Sequence, residues 1–108
     1  MKPRILVVED DAALNAMLCI QFEEQGLEVS AVTSLGEARR VLASTGPDLV
    51  LLDQQLPDGQ GVDFLQELRC SELDLTVVMM TGLHDLDLAI RAIQHGAFDF
   101  IHKPCLLY

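Results

Sequence analysis

The sequence predicts an α/β protein with a doubly wound parallel sheet of five strands, ordered 2-1-3-4-5. Short apolar runs recur roughly every 25 residues with helix-like segments between them, the rhythm of repeated strand–helix units. The runs differ in polarity. Leu27 to Val32 partly alternates and so predicts an edge strand with one wet face, whereas Leu49 to Leu52 is apolar throughout and predicts a central strand.

The first strand, Ile5 to Val8, leads into a helix that begins near Asp11. This helix is expected to end at Gly26, because glycine readily adopts the left-handed conformation that closes a helix. Apolar residues at helical spacing predict its inward face: Leu14, Met17, Leu18 and Phe22.

Ser34 is suited to cap a second helix, which should end before Gly46. A tight loop is then expected before a third helix, and its turn-forming residues are Pro57, Asp58, Gly59 and Gly61. A fourth helix should run to Gly96, ahead of a last strand at Phe100 to Ile101. With 108 residues and no linker, residues 1–108 are expected to form a single domain.

Charge and hydropathy exclude two classes of partner. Seventeen acids against seven bases give a formal net charge of −10, which would repel a nucleic-acid backbone. No window resembles a membrane span, and the start is too brief for the charged head of a signal peptide. A cytoplasmic protein without membrane or direct DNA contact is therefore expected.

Four of the apolar runs end on a reactive residue: Glu9 with Asp10, then Asp53, Thr81 and, shortly after the last run, Lys103. Singly, each has an ordinary explanation, because Asp and Thr after a strand often cap the next helix and a lone Lys is usually solvated. The carboxyl ends of parallel strands, however, open into one crevice. Their shared position at strand ends therefore predicts a metal-assisted phosphate site.

The acids favour magnesium as that metal. Carboxylates of Glu9, Asp10 and Asp53 held ~4 Å apart would repel by ~4 kcal/mol per pair at an effective dielectric of 20, so a divalent ion is needed. Oxygen-only ligands are typical of Mg²⁺. Zinc is not expected, because the three histidines lie in different segments without paired spacing: His84, His95 and His102. The cysteines are odd in number and suggest reduced packing residues: Cys19, Cys70 and Cys105.

Four segments of the chain resemble the receiver domain of bacterial two-component response regulators: ILVVEDD, LVLLDQQLPDGQG, VVMMTG and GAFDFIHKP. The resemblance covers nearly the whole chain and implies a flavodoxin-like fold. The segment AIRAIQHGAFDFIHKP resembles receivers attached to ATPase-type transcription activators of the nitrogen-regulation kind. Any contact with DNA would then belong to a domain absent from this chain.

The resemblance implies that Asp53 accepts a phosphoryl group from a sensor histidine kinase, which makes the domain a signalling phosphoacceptor rather than an enzyme. It also implies the Mg²⁺ ligands: Asp10 and Asp53 directly, Glu9 through water, and the backbone carbonyl of Gln55.

Three further roles follow from the same resemblance. Lys103 would pair with the phosphoryl group, and the Thr81 hydroxyl would bond another of its oxygens. Thr81 and Phe100 would then act as the conformational switch.

The end of the chain departs from the family pattern. Receivers normally continue past Lys-Pro into a fifth helix, whereas this chain stops at Leu107 and Tyr108. The fifth helix is therefore expected to be missing. Either the chain is a fragment of a larger regulator, or a second copy buries the bare flank of the sheet, which predicts a homodimer.

Two other classes stay open on the residues alone. A haloacid-dehalogenase-type phosphatase also uses an Asp nucleophile with Mg²⁺, but its DxD signature is not matched by Asp53, Gln54 and Gln55. A flavodoxin-like binding module would place a Ser/Thr/Gly-rich loop after the first strand, where this chain has Glu9, Asp10 and Asp11.

Overall fold

The computed structural model of the chain describes residues 2–70, 75–81, 94 and 99–102. In chain order the elements are β1 (Arg4–Val8), α1 (Ala12–Glu24), β2 (Glu28–Val32), α2 (Leu35–Ser44), β3 (Leu49–Asp53), β4 (Gln55–Leu56), β5 (Gly59–Gln60), α3 (Gly61–Cys70), β6 (Thr76–Thr81) and β7 (Asp99–His102). The fourth helix and the end of the chain, with the predictions made for them, lie outside the described residues.

The parallel sheet has the predicted order. Five strands pair as β2-β1-β3-β6-β7, which is the order 2-1-3-4-5 once the two short strands β4 and β5 are set aside. All four pairings are parallel. The half-polar strand β2 lies at one edge and the apolar strand β3 at the centre, so the polarity of the two runs predicted their places correctly.

Alternate residues of the strands point to opposite faces and build two cores. In β1, Leu6 and Val8 join the larger cluster under α2 and α3, and Ile5 and Val7 join the smaller cluster under α1. Leu18 is the fully buried contribution of α1 to the smaller cluster. Helices thus cover both faces of the sheet, and its carboxyl edge carries the ends of β1, β3 and β6.

Helix α1 begins and ends as predicted. Asp11 is its N-cap, where Oδ1 accepts hydrogen bonds from the backbone N–H of Ala13 at 3.0 Å and of Leu14 at 3.2 Å. After the helix, Gly26 has φ 86°, the left-handed conformation that permits the chain to turn into β2.

The loop before α3 turns tightly, as predicted. The structure adds two short strands to it, because β4 and β5 form an antiparallel hairpin around Pro57 and Asp58. Strands of two residues are too short to show alternating polarity, so the pattern carries no signal for them. The third helix begins at Gly61 itself, the last of the turn-forming residues.

Helices α2 and α3 are joined at the surface. The Arg39 guanidinium donates two hydrogen bonds to the Glu67 carboxylate, Nε to Oε2 at 2.8 Å and Nη2 to Oε1 at 2.9 Å. It also lies over the ring of Phe64, 5.3 Å from the centroid. Within the described part of the chain, no helix has the length and apolar character needed to cross a membrane.

Candidate functional site

Three carboxylates meet at the carboxyl edge of the sheet. Glu9 and Asp10 follow β1, and Asp53 ends β3, the neighbouring strand. One carboxylate oxygen from each lies within 4.8 Å of the other two. Glu9 is fully buried and Asp53 is 4% exposed, while Asp10 faces solvent. The structure therefore brings together acids that are 44 and 43 residues apart along the chain.

The donor set of this cluster fits a hard divalent cation. At an effective dielectric of 20, two carboxylates ~4.8 Å apart repel by ~3.5 kcal/mol, and two of the three are largely removed from water. Mg²⁺ typically binds one or two carboxylates and keeps several of its water ligands. Such an ion suits this cluster, because the side of Asp10 is open to solvent. The residues therefore fit Mg²⁺, with Asp10 providing the solvent-facing side.

Gln54, the residue after Asp53, connects the end of β3 to α3. Its backbone oxygen accepts from Gly61 N at 2.7 Å, and its side-chain Oε1 accepts from Val62 N at 3.0 Å. Gln54 N in turn donates to Met80 O at 3.1 Å. This buried residue, 2% exposed, thus satisfies the first two N–H groups of α3 while remaining tied to β6.

Gly61 packs directly on the backbone of Asp53. A Cβ at this position would overlap the carbonyl oxygen of Asp53 and lie 3.0 Å from Met79 Cε. Because a backbone atom cannot rotate away as a side chain can, only glycine allows the start of α3 to come this close. The approach fixes the position of Asp53 relative to the helix.

Asp58, at the tip of the β4–β5 hairpin, holds this loop to α2. Its Oδ1 accepts from Leu35 N at 2.8 Å, and its Oδ2 accepts from Gly36 N at 2.9 Å. These two backbone hydrogen bonds hold the pKa of the Asp58 carboxyl below its usual range. Ser34 Oγ also accepts from Glu37 N at 3.2 Å. The N–H groups in the first turn of α2 are therefore bonded by two side chains, those of Asp58 and Ser34.

The backbone of Glu9 is held by a side chain from α1. Asn15 Nδ2 donates to Glu9 O at 2.8 Å and to Val32 O at 3.1 Å, and Glu9 N also donates to Val32 O at 3.1 Å. Asn15 is buried at 7% exposure. Both backbone polar groups of Glu9 are therefore hydrogen-bonded just before the chain reaches Asp10.

The remaining predicted site residues are described in part or not at all. Thr81 is the last residue of β6, at the same edge as Asp53, and Phe100 lies in β7 opposite Met79 in the register. Gln55 begins β4, two residues after Asp53. Lys103 lies outside the described residues, so its role stays a prediction.

Comparison with known proteins now identifies the architecture. Residues 5–107 match the family model of the response regulator receiver domain. The chain is a response regulator receiver domain. This assignment confirms the resemblance seen in the four sequence segments. As a receiver domain, the chain is part of a two-component signalling system.

Related sequences include transcriptional regulators. The chain is 37% identical over 106 residues to the phosphate regulon transcriptional regulatory protein PhoB of Escherichia coli (strain K12), covering 96% of this chain and 46% of PhoB. It is 36% identical over 103 residues to the response regulator protein PilR of Pseudomonas aeruginosa, covering 95% of this chain and 23% of PilR. The receiver domain thus spans less than half of these relatives.

Solved structures share the fold. The signal receiver domain of a LuxO repressor protein from Vibrio parahaemolyticus has a TM-score of 0.90 at 31% identity, covering 96% of this receiver domain and 80% of that chain. The NtrX structure from Brucella abortus has a TM-score of 0.89 at 31% identity, covering 96% of this chain and 24% of that chain. The flavodoxin-like arrangement predicted from the sequence is therefore confirmed.

Sequence reasoning missed two residues that shape the site, Asn15 and Gln54. A signal existed for Asn15, because it falls at helical spacing with Leu18 and Phe22 on the inward face of α1, where a polar side chain needs a partner. Gln54 follows an apolar strand that ends on Asp53, and the sequence pattern carries no signal that this polar residue is buried. Which atoms the two amides contact could not be read from the pattern.

Proposed function

We propose that Asp53 is the phosphoacceptor of this receiver domain and takes a phosphoryl group from a phosphohistidine of a sensor histidine kinase. The carboxylate oxygen of Asp53 forms the new bond to phosphorus as the bond to the imidazole nitrogen breaks, and the electron pair returns to that nitrogen. The convergence of Glu9, Asp10 and Asp53 within 4.8 Å is the observation that carries this proposal.

The acids would hold the metal that this transfer needs. Asp10 and Asp53 would bind Mg²⁺ directly, Glu9 would act through a water molecule, and the backbone carbonyl of Gln55 would complete the protein ligands. When bound, Mg²⁺ neutralises charge that develops on the transferred phosphoryl oxygens. Asp53 provides the nucleophile, and its fixed position beside Gly61 reduces the motion that must be lost at the moment of attack.

Two further residues complete the proposed chemistry. The Thr81 hydroxyl, at the end of β6, bonds a phosphoryl oxygen, and Lys103 pairs with another. Thr81 and Phe100 then form the switch that reports phosphorylation. The domain promotes its own phosphorylation and dephosphorylation and serves as a signalling phosphoacceptor rather than an enzyme.

Intact-mass analysis tests this function. The wild-type protein, incubated with acetyl phosphate and Mg²⁺, is expected to gain the mass of one phosphoryl group, and omission of Mg²⁺ or substitution Asp53→Asn should abolish the gain. Asp63→Asn is the matched control, because Asp63 is an exposed acid on the neighbouring helix α3. Undiminished labelling of Asp53→Asn would refute the assignment, and multiple turnover of a phosphate ester would favour an enzyme.

The relatives suggest how the signal leaves the domain. PhoB is named a transcriptional regulatory protein. We therefore propose that this receiver domain, residues 1–108, controls a transcriptional output located elsewhere, through which any DNA contact is made. The output domain is proposed to be an ATPase-type activator. This proposal is supported by a structural neighbour, NtrX from Brucella abortus, which was solved with bound ADP and of which this chain covers only 24%. A cytoplasmic location suits a domain that meets a kinase there.

The predicted homodimer remains part of this proposal. The chain from Lys103 onward, where the fifth helix would begin, lies outside the described residues. Sedimentation of the phosphorylated and unphosphorylated protein tests it: a concentration-dependent rise in mass is expected, and a monomer at every concentration would contradict it.

A further inference from the structure

The contacts of Asn15 extend beyond those that a helix needs to pack on a sheet. Its Nδ2 group donates to two backbone carbonyls, Glu9 O at 2.8 Å and Val32 O at 3.1 Å, which belong to the ends of neighbouring strands. The two amide hydrogens of one asparagine are thus both used on main-chain oxygens at the carboxyl edge of the sheet. One side chain therefore links α1, the end of β1 and the end of β2.

The first of these bonds acts on the peptide group that joins the two acids of the β1 loop. The carbonyl of Glu9 and the N–H of Asp10 lie in one rigid plane, so the direction of the carbonyl sets the direction in which the chain enters Asp10. Rotation of this plane would swing the Asp10 carboxylate away from Asp53. Because Glu9 N is also bonded to Val32 O, at 3.1 Å, neither side of Glu9 is free to rotate.

The orientation of the Asn15 amide is itself determined. Cys19, one helical turn later, donates from Sγ to Asn15 Oδ1 at 3.4 Å. Burial raises the pKa of the Cys19 thiol, and the Glu23 carboxylate raises it further, so the thiol keeps its proton at neutral pH. The opposite amide orientation would place Oδ1 against two carbonyl oxygens, with no donor between them.

We infer that Asn15 is a positioning residue for the metal site: its two hydrogen bonds hold the Glu9–Asp10 peptide so that both carboxylates face Asp53, and Cys19 orients the amide that does so. This inference rests on the proposed function, because it takes the three acids as the Mg²⁺ site. Asn15 itself does not touch the metal in this arrangement. It acts in the way that groups hydrogen-bonded to metal ligands act in other sites.

Mg²⁺ affinity measured by isothermal titration calorimetry tests the inference. Asn15→Leu preserves the approximate volume of the side chain and removes both donors, so Mg²⁺ binding should weaken by about tenfold. Leu18→Ala is the matched control, because it weakens the packing of the same helix one turn away without touching the peptide of Glu9. This control is expected to lower the unfolding temperature but to keep the wild-type Mg²⁺ affinity in the folded protein.

A milder pair of variants keeps the test decisive if Asn15→Leu does not fold. Cys19→Ala removes the donor to Asn15 Oδ1, and Cys19→Ser replaces it with a hydroxyl. Cys19→Ala should bind Mg²⁺ more weakly than the wild type, whereas Cys19→Ser should retain most of the affinity.

The outcomes separate this inference from the proposed function. If Asn15→Leu folds and binds Mg²⁺ with wild-type affinity, the positioning role alone is overturned. If Asn15→Leu does not fold, equal Mg²⁺ affinity of Cys19→Ala and Cys19→Ser overturns it instead. If the wild type binds no Mg²⁺, the proposed metal site itself fails. Equal weakening in Asn15→Leu and Leu18→Ala would show that any damage to α1 suffices, which also overturns the inference.

Discussion

The loop after β1 and the loop after β3 each deliver acids to the same cluster, but they are held by different means. Residues 9–11 are fixed by side chains, with Asn15 on the peptide of Glu9 and Asp11 as the cap of α1. Residues 53–61 are fixed by the close approach of Gly61 to the backbone of Asp53 and by contacts to α3 and α2. The first loop depends on the hydrogen bonds of polar side chains. The second depends mainly on Gly61, whose lack of a side chain permits the close approach to Asp53.

This difference has a physical consequence for substitutions. Removing the Asn15 donor that holds the first loop lets the Glu9–Asp10 peptide rotate and leaves the core in place. Adding an atom to the second loop forces two backbone segments apart, and the core residues of α3 move with them. Damage to the β3 loop should therefore cost more stability, whereas damage to the β1 loop should act mainly on the metal.

The largest expected effect is that of Gly61→Ala. The added methyl group would overlap the Asp53 carbonyl oxygen, so α3 must shift away from β3, and we expect the free energy of unfolding to fall by about 3 kcal/mol. Urea denaturation measures the loss, and acetyl phosphate labelling should slow in the protein that remains folded. Gly46→Ala is the control, because a Cβ at Gly46 would meet nothing within 4 Å. Equal stability of the two variants would show that α3 accommodates the methyl group.

A smaller effect is expected for Gln54→Met. Methionine fills similar space but removes the acceptor for Val62 N, so a buried N–H at the start of α3 loses its partner at a cost of about 1–2 kcal/mol. Ser34→Ala is the matched control, because it removes the corresponding acceptor at the start of α2 for about 1 kcal/mol.

The two variants should differ in function more than in stability. Gln54 is adjacent to Asp53, so Gln54→Met should slow labelling by acetyl phosphate, whereas Ser34→Ala should leave the rate unchanged. If both variants slowed labelling equally, the contact of Gln54 with α3 would have no specific part in placing Asp53.

The smallest effect is expected for Asp58→Asn, and it should depend on pH. Hydrogen bonds from Leu35 N and Gly36 N lower the pKa of Asp58 in the folded state. A lowered pKa means that the carboxylate stabilises the fold above the unfolded-state pKa of about 3.9 and loses this contribution as pH falls through the folded value.

Thermal unfolding from neutral to acidic pH measures this contribution. The wild type should be more stable than Asp58→Asn near neutral pH, and the gap should narrow below about pH 4. A gap of the same size at every pH would mean that the charge of Asp58 is irrelevant and that the lost backbone contact alone matters. Glu24→Gln is the control, since Glu24 is an exposed acid at the end of α1, away from this loop.

Much of this receiver domain was readable from the order of its residues. The central place of β3 follows from the uninterrupted run Leu49 to Leu52, because a strand buried on both faces excludes polar side chains. The left-handed turn at Gly26 and the start of α1 near Asp11 are local features, and both were predicted and found. The meeting of Glu9, Asp10 and Asp53 also followed, since parallel strands end at one edge.

Other features required the folded chain. The hydrogen bond from Asn15 to Val32 O spans 17 residues, and the bonds from α2 to Asp58 span 22 and 23. Hydrophobic periodicity identifies the inward face of a helix, but it does not say which carbonyl a buried amide will meet. That depends on how far along the sheet the helix docks and on its rotation.

The sequence by itself therefore determined the order of the strands, the faces of the helices and the edge at which the acids gather, because burial and alternation are properties of each segment. Only the tertiary structure decided how the acids are aimed. The partners of Asn15, the two bonds accepted by Gln54 and the contact of Gly61 with Asp53 arise between segments, and hydrogen bonds and steric overlap act over distances of a few ångströms that a sequence pattern does not contain.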